Sequence, residues 1–433
     1  MKVLVVDSGG RGHAIAWQFK NDPNVKEVIC APGNSGIARE IRCENARTNE
    51  EMLDLAKREK VDLTFVGPES PLTKGIVDLF SSEKMPIVGP QQKAAILEGS
   101  KAYTKLLCRE IGVPAPEFEV FEDAGMAQDY VKHVNHPVVV KADGLAQGKG
   151  SIVCSDEGEA LRAIDQLMVE KAFGDAGSKV VIEKRLFGTE ISFFVFTDGE
   201  ALAPMPVAQD YKRAYDNDEG LNTGGMGSYS PHRLEGESLD RLVCEKVAMP
   251  LIQGFKKKEG VAYKGILYCG LMLVGDVPHL LEVNVRFGDP EAEVILPRLI
   301  TPLSDISFQI INGVLSEKKV EWSKDYYCDV VAAQGRTRQM RNGKSKGWYP
   351  GYPSRYGKGH QISGIDSVED PDCKIFFAGV NFSETKGLVT DGGRVLHVVG
   401  RGSTLENARS VAYKNIEKIR FEGVRYRTDI GKE

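Results

Sequence analysis

The chain has 433 residues, which is enough for about three domains at roughly 150 residues each. Hydrophobic residues make up 42% of it and charged residues 27%, and this composition excludes a mainly disordered or low-complexity chain. Acidic residues outnumber basic ones by 61 to 56 and no dense Lys/Arg block occurs, which argues against a groove that tracks nucleic-acid phosphates.

Short β-branched runs alternate with helix-like stretches over residues 1–97. The runs 3–6, 25–30, 63–66 and 87–88 are typical of strands, and 13–20 and 50–60 are typical of helices. This alternation predicts a doubly wound parallel sheet, in which ligands bind beyond the carboxyl ends of the strands. Three glycine-bearing loops fall at those ends: 8–11, 31–34 and 67–69. The first favours phosphate through its amides, but it lacks the G-x-G-x-x-G pattern of nicotinamide-binding proteins.

Residues 98–320 predict a longer α/β region that carries most of the polar motifs. A helix is expected at 101–111, followed by a Pro114/Pro116 break and strands at 138–141, 152–154 and 180–183. Two further strands, 270–274 and 279–284, are joined by a tight Gly275-Asp276 turn.

Residues 321–433 predict a small third unit with short strands and one helix at 404–420. Within it, segment 335–359 is basic and rich in glycine and tyrosine, which predicts an exposed loop. Two interpretations of this loop remain open: it binds a partner, or it is a solvated surface loop without a binding role.

The sharpest local motif is residues 141–150, where a strand ends and a glycine-rich loop with two lysines follows at once. Glycine lets backbone amides approach phosphate oxygens, and lysine adds compact positive charge, so a nucleoside triphosphate fits. The spacing is not that of a Walker loop. The alternative is a glycine hairpin with surface lysines.

A second motif lies on the strand before residue 285. Residues two apart on a strand share a face, so Glu282, Asn284 and Arg286 line up. Carboxylate and amide oxygens suit a hard divalent cation, and arginine binds a phosphoryl group in bidentate fashion. An ordinary half-exposed strand is the alternative. A third motif, the glycine-dense loop 222–228, is either a small-anion site or a flexible turn.

Taken in order, these motifs resemble the glycinamide ribonucleotide synthetase family of the ATP-grasp superfamily. The resemblance covers residues 1–429, and its marks are the segments 8–11, 31–34, 66–69, 97–101, 141–150, 222–229, 286–291 and 392–396. It implies an α/β chain with an N-terminal substrate domain (1–97), a central ATP-grasp domain (98–320) with a mobile lid (about 114–183), and a small C-terminal α+β domain (321–433).

The resemblance also implies a role for individual positions. ATP would be held by Lys101, Lys141, Gly148, Lys149, Gly150, Glu183, Leu186 and Glu190. Glu282 and Asn284 would be ligands of Mg²⁺ or Mn²⁺. The residues implied in catalysis are Arg286, Lys141 and Asp210. Glycine and 5-phosphoribosylamine would meet at Asn222, Thr223, Gly224, Gly225, Met226 and Glu291, with the ribose phosphate at Gly9, Gly10, Gly33, Asn34 and Glu69.

The implied reaction is an ATP-dependent ligation of these two substrates through a glycyl phosphate, as a step of purine synthesis. A carboxylate is a poor electrophile, and phosphorylation gives it a leaving group that an amine displaces. Two alternatives remain: a related ligase with another acid or amine, and a nucleotide-binding scaffold without turnover.

Four departures from the family pattern stand out. Asp7 and Gly12 replace the usual Gly and Glu around the first loop, which puts its geometry and amine-substrate binding in doubt. Tyr211 replaces a frequent His, Lys184 and Arg185 replace more acidic hinge residues, and segment 335–359 is longer than usual.

The compartment is expected to be cytoplasmic. The eight cysteines are scattered singly with no C-x-x-C pair, which is typical of reduced thiols rather than a disulfide framework or a structural zinc site. The sequence opens without a signal-peptide pattern, and no apolar run approaches about 18 residues. No membrane or nucleic-acid partner is expected. The oligomeric state is expected to be a monomer, but the sequence does not determine it.

Overall fold

The computed structural model, which describes residues 1–146, 150–315, 319–341 and 344–432, begins with a five-stranded parallel sheet. Its strands are β1 (Lys2–Asp7), β2 (Glu27–Pro32), β3 (Arg42–Cys43), β4 (Leu63–Val66) and β5 (Ile87–Val88), in the order β3-β2-β1-β4-β5. The helices are α1 (Gly10–Lys20), α2 (Asn49–Glu59), α3 (Glu69–Thr73) and α4 (Ile76–Ser82). The predicted doubly wound parallel sheet is confirmed.

Both faces of this sheet are covered, as the apolar run of β1 requires. Val3 and Val5 point into one hydrophobic core, and Leu4 and Val6 point into a second, each at most 2% exposed. Successive side chains of a strand alternate between faces, so a strand that is apolar at every position must be buried on both. The first core also contains β-strand residues from the C-terminal end of the chain, which ties the two ends together.

The central region supplies two antiparallel sheets. Its elements are α5 (Ile96–Gly99), α6 (Lys101–Ile111), β6 (Phe118–Phe121), α7 (Ala124–His133), β7 (Val138–Ala142), β8 (Ser151–Val153), α8 (Glu157–Ile164), β9 (Val180–Lys184), β10 (Thr189–Thr197), β11 (Leu202–Pro204), β12 (Gln209–Asp210), β13 (Arg213–Tyr215), β14 (Glu219–Asn222), β15 (Gly227–Ser230), α9 (Glu237–Val243), α10 (Met249–Glu259), β16 (Gly265–Val274), β17 (Val277–Asn284), α11 (Ala292–Ile295) and α12 (Leu303–Asn312). One sheet has the order β6-β9-β7-β8 and the other β11-β10-β16-β17, while β13 pairs with β14.

Local signals account for several of these elements. Helix α6 begins at the predicted residue because the Ser100 side chain accepts a hydrogen bond from the Tyr103 amide, and it ends before Gly112 in the left-handed conformation. The β16–β17 hairpin closes through the predicted turn, where Gly275 has φ +58°.

The sheet formed by β6 to β9 has its own small core under α7 and α8, with Val140, Ile164 and Ile182 among the buried residues. A separate core is what a lid needs to move as one body. The lid and its limits at about 114 and 183 stay a prediction, as do the domain boundaries at 97/98 and 320/321.

The C-terminal elements are β18 (Tyr326–Gln334), β19 (Thr337–Arg341), β20 (Lys344–Tyr349), β21 (Cys373–Phe377), β22 (Val380–Ser383), β23 (Gly387–Thr390), β24 (Arg394–Gly402), α13 (Leu405–Ile416) and β25 (Val424–Arg425). Strands β18, β21, β24 and β25 join β12 and β15 in one sheet of the order β12-β15-β18-β24-β21, in which β25 also pairs with β18. Strands β12 and β15 come from before residue 320, so the sheet crosses the predicted boundary.

The expectation of an exposed loop at 335–359 is wrong for much of the segment. Strands β19 and β20 pair as an antiparallel hairpin, and Thr337 at its base is fully buried. The guanidinium groups of Arg336 and Arg338 lie 4.5 and 5.5 Å from the centre of the Trp348 ring, which is half exposed. Stacking of arginine on tryptophan thus holds basic charge on the face of a hairpin.

Among the described helices, none has both the length and the apolar composition that crossing a bilayer requires.

Candidate active site

A cleft of about 1200 Å³ is lined by residues from all three predicted domains. It brings together most of the residues that the sequence singled out: Gly9, Glu69, Lys101, Lys141, Gly150, Glu183, Leu186, Glu190, Asp210, Asn222, Thr223, Gly224, Glu282, Asn284, Arg286 and Glu291. These positions span nearly 300 residues of sequence, so their convergence is a property of the fold.

Seven predicted site residues are not among the cleft residues. Gly10, Gly33, Asn34, Gly225 and Met226 lie outside its lining, and Gly148 and Lys149 lie outside the described residues. Asn34 has a structural part in the first domain: its side-chain amide donates to the Ser8 and Ala378 carbonyls and accepts from the Gly36 amide.

Two lysines and one buried glutamate form an ion cluster at the foot of the small sheet. The Glu183 carboxylate, 1% exposed, lies 2.8 Å from Lys141 Nζ and 3.0 Å from Lys105 Nζ. Although burial acts to raise it, the two ammonium groups hold the pKa of Glu183 below its usual value. The same lysines donate to the Leu281 and Leu280 carbonyls of β17, which joins the small sheet to the central one.

Lys101 is the third lysine at this end of the cleft. Its Nζ donates to the Gly144 carbonyl at 3.2 Å, and burial lowers the pKa of its ammonium group. A desolvated cation aimed into a cleft gains the most from an incoming anion.

The carboxylate row on β17 faces the middle of the cleft. Glu282 and Asn284 share one face of the strand, and Lys212 Nζ lies 3.4 Å from Glu282 Oε1 and 2.6 Å from Glu190 Oε1. The Lys212 ammonium is the main cause that lowers the pKa of Glu282 to about 2. An ionised carboxylate beside a free amide oxygen is a donor set that hard divalent cations prefer, and Lys212 occupies the position of a counter-cation.

Arg286 is held by two acidic residues. Its Nε donates to Glu69 Oε2 at 3.1 Å and its Nη2 to Glu98 Oε1 at 2.8 Å. Glu98 also accepts the Val285 amide at 2.8 Å, so its carboxylate is fixed on two sides. Because Glu98 is anchored and Glu69 holds the guanidinium at a second nitrogen, the guanidinium plane is oriented before any ligand binds.

A pair of acids lies deeper in the cleft. Glu291 Oε1 accepts hydrogen bonds from the Ser192 hydroxyl at 2.9 Å and the Tyr268 hydroxyl at 2.8 Å. Burial first, and then the charge of Glu291, raise the pKa of Asp210 well above its usual range. A carboxyl group perturbed in this way inside a cleft is a candidate for proton transfer.

The glycine-dense loop is held open by Arg394. Its Nη1 donates to the Gly224 carbonyl at 2.6 Å and to the Asp289 carbonyl at 2.8 Å, and the Gly224 amide donates to the Tyr352 hydroxyl at 2.8 Å. Arginine thus fixes the backbone of the loop that borders the acid pair.

The first loop departs from expectation in its hydrogen bonds. The amides of Ser8 and Gly9, predicted to face a phosphate, donate to Asp7 Oδ1 at 2.6 and 2.8 Å, while Arg11 Nε donates to Asp7 Oδ2 at 3.0 Å. Asp7 is thus built into the loop as an internal anion.

Sequence reasoning missed several cleft residues: Lys105, Lys212, Glu98, Arg394 and Tyr352. Four had a usable signal. Lys105 lies one helical turn after Lys101, and Lys212 directly follows Tyr211, which departs from the family pattern. Glu98 and Arg394 stand inside the segments 97–101 and 392–396, which carry the resemblance. Nothing in the sequence pointed to Tyr352.

Family models match most of the chain. The N domain, ATP-grasp (A) domain and C domain of phosphoribosylglycinamide synthetase match residues 1–98, 99–292 and 349–433. A phosphoribosylamine–glycine ligase from Archaeoglobus fulgidus is 42% identical over 477 aligned residues, covering 100% of this chain and 99% of that one.

Solved structures agree with this match. The crystal structure of a phosphoribosylamine–glycine ligase from Thermotoga maritima superimposes with a TM-score of 0.81 at 34% identity, covering 99% of this chain and 100% of that chain. The biotin carboxylase domain of Hydrogenobacter thermophilus 2-oxoglutarate carboxylase, solved with MgADP, has a TM-score of 0.69 at 16% identity, covering 98% and 91%. That second likeness concerns the fold alone, which is the predicted ATP-grasp architecture.

Proposed function

The chain belongs to the phosphoribosylglycinamide synthetase family, and we propose that its cleft ligates glycine to phosphoribosylamine in two steps, through a glycyl phosphate. The overall activity is an ATP-dependent ligation that yields glycinamide ribonucleotide, ADP and phosphate in purine synthesis. The observation that carries the two-step proposal is the convergence of Lys101, Lys141, Glu282 and Arg286, from four separate stretches, on one cleft.

The nucleotide is assigned to the end of the cleft below the small sheet. Lys101 and Lys141 would bind phosphate oxygens, with Lys105 close behind. Leu186, just after β9, lines the cleft, and its amide has no partner among the described residues, so it is free to read an adenine edge. Glu190 would accept the ribose hydroxyls once it leaves Lys212.

Glu282 and Asn284 would hold the divalent cation. Their oxygens and the low pKa of Glu282 fit Mg²⁺, and the same ligands would accept Mn²⁺. When bound there, the cation neutralises part of the phosphate charge.

Arg286 positions the phosphoryl group for the first step. A glycine carboxylate oxygen attacks the γ-phosphorus, the bond to the β-phosphate oxygen breaks, and ADP leaves. Charge on the transferring phosphoryl oxygens is balanced by the guanidinium that Glu69 and Glu98 orient. Arg286 therefore acts as an oriented clamp rather than as an acid or base.

The second step joins the amine to the acyl carbon. The amine nitrogen attacks, the carbon–oxygen bond to phosphate breaks, and the nitrogen loses one proton. Asp210, which lies beside the loop 222–225, would accept that proton in its ionised form. Glycine would lie between this loop and Glu291, and phosphoribosylamine would enter along Gly9 and Glu69.

Acyl phosphates hydrolyse readily, so water must be excluded between the two steps. The small sheet β6-β9-β7-β8 covers the nucleotide end and has its own core, so it is the proposed lid.

Glycine labelled with ¹⁸O in both carboxylate oxygens tests the intermediate. If glycyl phosphate forms, one labelled oxygen per turnover appears in inorganic phosphate, which mass spectrometry measures. Glu282→Gln, which should be nearly inactive, controls for contaminating ATPases. Product formed together with unlabelled phosphate would rule the intermediate out.

The alternative ligase with another acid or amine is tested by the same assay. ADP release with glycine and phosphoribosylamine, but not with other amino acids or amines, would exclude it.

A further inference from the structure

A cluster of four ionisable side chains lies against Gly10 at the end of the first loop, and its member Asp289 also lines the cleft. It consists of Asp289, Glu293, Asp329 and His397, and we call it the acid–histidine cluster. Glu293, Asp329 and His397 are fully buried. They come from α11, β18 and β24, so the cluster joins the central region to the C-terminal sheet.

Three of these residues present their ligand atoms to one point. His397 Nε2 lies 3.7 Å from Glu293 Oε1 and 3.8 Å from Asp289 Oδ1. Each residue offers one atom, and these atoms all lie within 4.8 Å of one another. Two ligand atoms that each lie about 2.2 Å from a shared cation are at most about 4.4 Å apart, so the separations of 3.7 and 3.8 Å are compatible with one cation.

The polar atoms that face this point lack partners within the described residues. Neither carboxylate oxygen of Glu293 accepts a hydrogen bond, and His397 Nε2 has no partner either. Burying an ionised carboxylate without a partner is strongly unfavourable, so a proton or a cation must compensate it. Arg394 pairs with Asp289 at 2.9 Å and leaves the Glu293 carboxylate without a hydrogen-bond partner among the described residues.

The other nitrogen of the imidazole is oriented. His397 Nδ1 lies 2.7 Å from Asp329 Oδ2, which directs Nε2 toward Glu293 and Asp289. A carboxylate behind a histidine in this way is the usual second partner of a metal-binding imidazole.

Because Gly10 has no side chain, the space between Glu293 and His397 is left open. A Cβ atom there would lie 2.6 Å from both Glu293 Oε1 and His397 Nε2. The glycine that the sequence suggested for substrate binding thus borders the acid–histidine cluster instead.

We propose that Asp289, Glu293 and His397 bind one divalent transition-metal cation, Zn²⁺ in the first place. Two carboxylates and one imidazole suit such a cation better than Mg²⁺, which prefers oxygen alone. This site is separate from Glu282 and Asn284. It would fasten the segment that carries Arg286 and Glu291 to strand β24 and so stabilise the cleft wall.

Metal analysis of the full-length chain gives the direct test. Protein passed through gel filtration without nucleotide should retain one equivalent of Zn²⁺ per chain. His397→Gln and Glu293→Gln should lower that content at least tenfold, whereas Glu282→Gln should keep it. Asp329→Asn should weaken binding about 10–100-fold, since it only orients the histidine.

Thermal unfolding separates a metal site from a buried proton network. In metal-stripped wild-type protein, added Zn²⁺ should raise Tm, and Co²⁺ should give visible absorption bands that His397→Gln abolishes. Glutamine resembles a protonated carboxylic acid, so without a metal site Glu293→Gln would keep or raise Tm, and with one it would remove the response to Zn²⁺.

The proposal is wrong if no stoichiometric Zn²⁺ or Co²⁺ binding occurs, if the variants retain the metal, or if Glu293→Gln is simply more stable than metal-treated wild type.

Discussion

Gly12→Ala should destabilise the protein although alanine is the better helix former. Gly12 is buried in α1, and a Cβ atom there would lie 2.6 Å from Asp7 Cγ and closer still to Asp7 Cβ. The Asp7 side chain cannot turn away, because its carboxylate accepts hydrogen bonds from Ser8, Gly9 and Arg11. The two departures from the family pattern, Asp7 and Gly12, are therefore one steric unit.

The magnitude follows from opposing effects. Alanine gains about 1 kcal/mol of helix propensity, whereas an overpacked methyl group costs about 1–3 kcal/mol. Because the Asp7 carboxylate is fixed, the cost of the added methyl group should lie at the upper end of this range. The free energy of unfolding of Gly12→Ala is therefore expected to fall by about 1–2 kcal/mol. Asp7→Gly alone should cost about 3–5 kcal/mol, because it leaves the buried Arg11 guanidinium without its carboxylate. In the double variant the clash disappears, so the two losses should fall short of additivity by about 1–3 kcal/mol.

Urea unfolding followed by Trp17 fluorescence measures this cycle, since Trp17 lies in α1. Substituting the other two tryptophans, Trp322 and Trp348, by Phe in every member makes Trp17 the only reporter. Additive losses, within about 0.5 kcal/mol, would refute the steric coupling.

Four other predictions concern the cleft. Glu282→Gln should lower kcat at least 100-fold and raise the Mg²⁺ concentration for half-maximal rate; an unchanged Mg²⁺ titration would remove Glu282 from the metal site. Because Lys212 depresses the folded-state pKa of Glu282 to about 2, the stability of this pair is present above about pH 4.5 and is lost as pH falls toward 2. Wild type should thus lose more stability than Glu282→Gln in acid unfolding between these pH values, and parallel curves would contradict this. Lys141→Met should raise the KM for ATP at least tenfold, and a normal KM would argue against a contact between Lys141 and the nucleotide. It should also lower Tm, because the buried Glu183 then keeps only one lysine partner. Arg394→Lys should reduce kcat/KM for glycine about tenfold through loss of the arginine fork, with KM for ATP as the unchanged control.

Features determined by neighbouring residues could be predicted from the sequence. The limits of α6 follow from Ser100 and Gly112, and the β16–β17 hairpin follows from its Gly275 turn. The shared face of Glu282 and Asn284 follows from strand periodicity. Each of these depends on contacts within about ten residues.

Pairing across long sequence separations could not be predicted. Lys105 is recognisable as one helical turn from Lys101, but its partner Glu183 is brought to it only by the fold. The basic composition of 337–349 predicts a loop, and the exposed Arg338 and Lys346 are typical of one. The structure has a hairpin there because its base, at Thr337, packs against Gly423, which is distant in sequence. The acid–histidine cluster depends on His397 meeting Glu293, and neither residue carries a local signal of the other.

The cleft has one electrostatic pattern that bears on how it works. Three cationic side chains of the cleft are paired with carboxylates: Lys141 with Glu183, Lys212 with Glu282, and Arg286 with Glu69. These carboxylates keep the buried cations ionised and oriented. Without them, the charged forms of several neighbouring lysine and arginine side chains would be disfavoured by mutual repulsion and desolvation. A polyanionic substrate must then compete with built-in anions.

Such competition favours a ligand that brings its own cation. If Glu282 exchanges Lys212 for a divalent ion, the lysine is released toward the phosphates, so nucleotide and metal should bind with positive coupling. Triphosphate without the ion meets cations that are still neutralised. The dependence of ATP affinity on Mg²⁺ should therefore be weaker in Lys212→Met, because Glu282 then has no lysine partner to exchange for the ion. An equal dependence in wild type and Lys212→Met would show that the paired carboxylates do not control nucleotide binding.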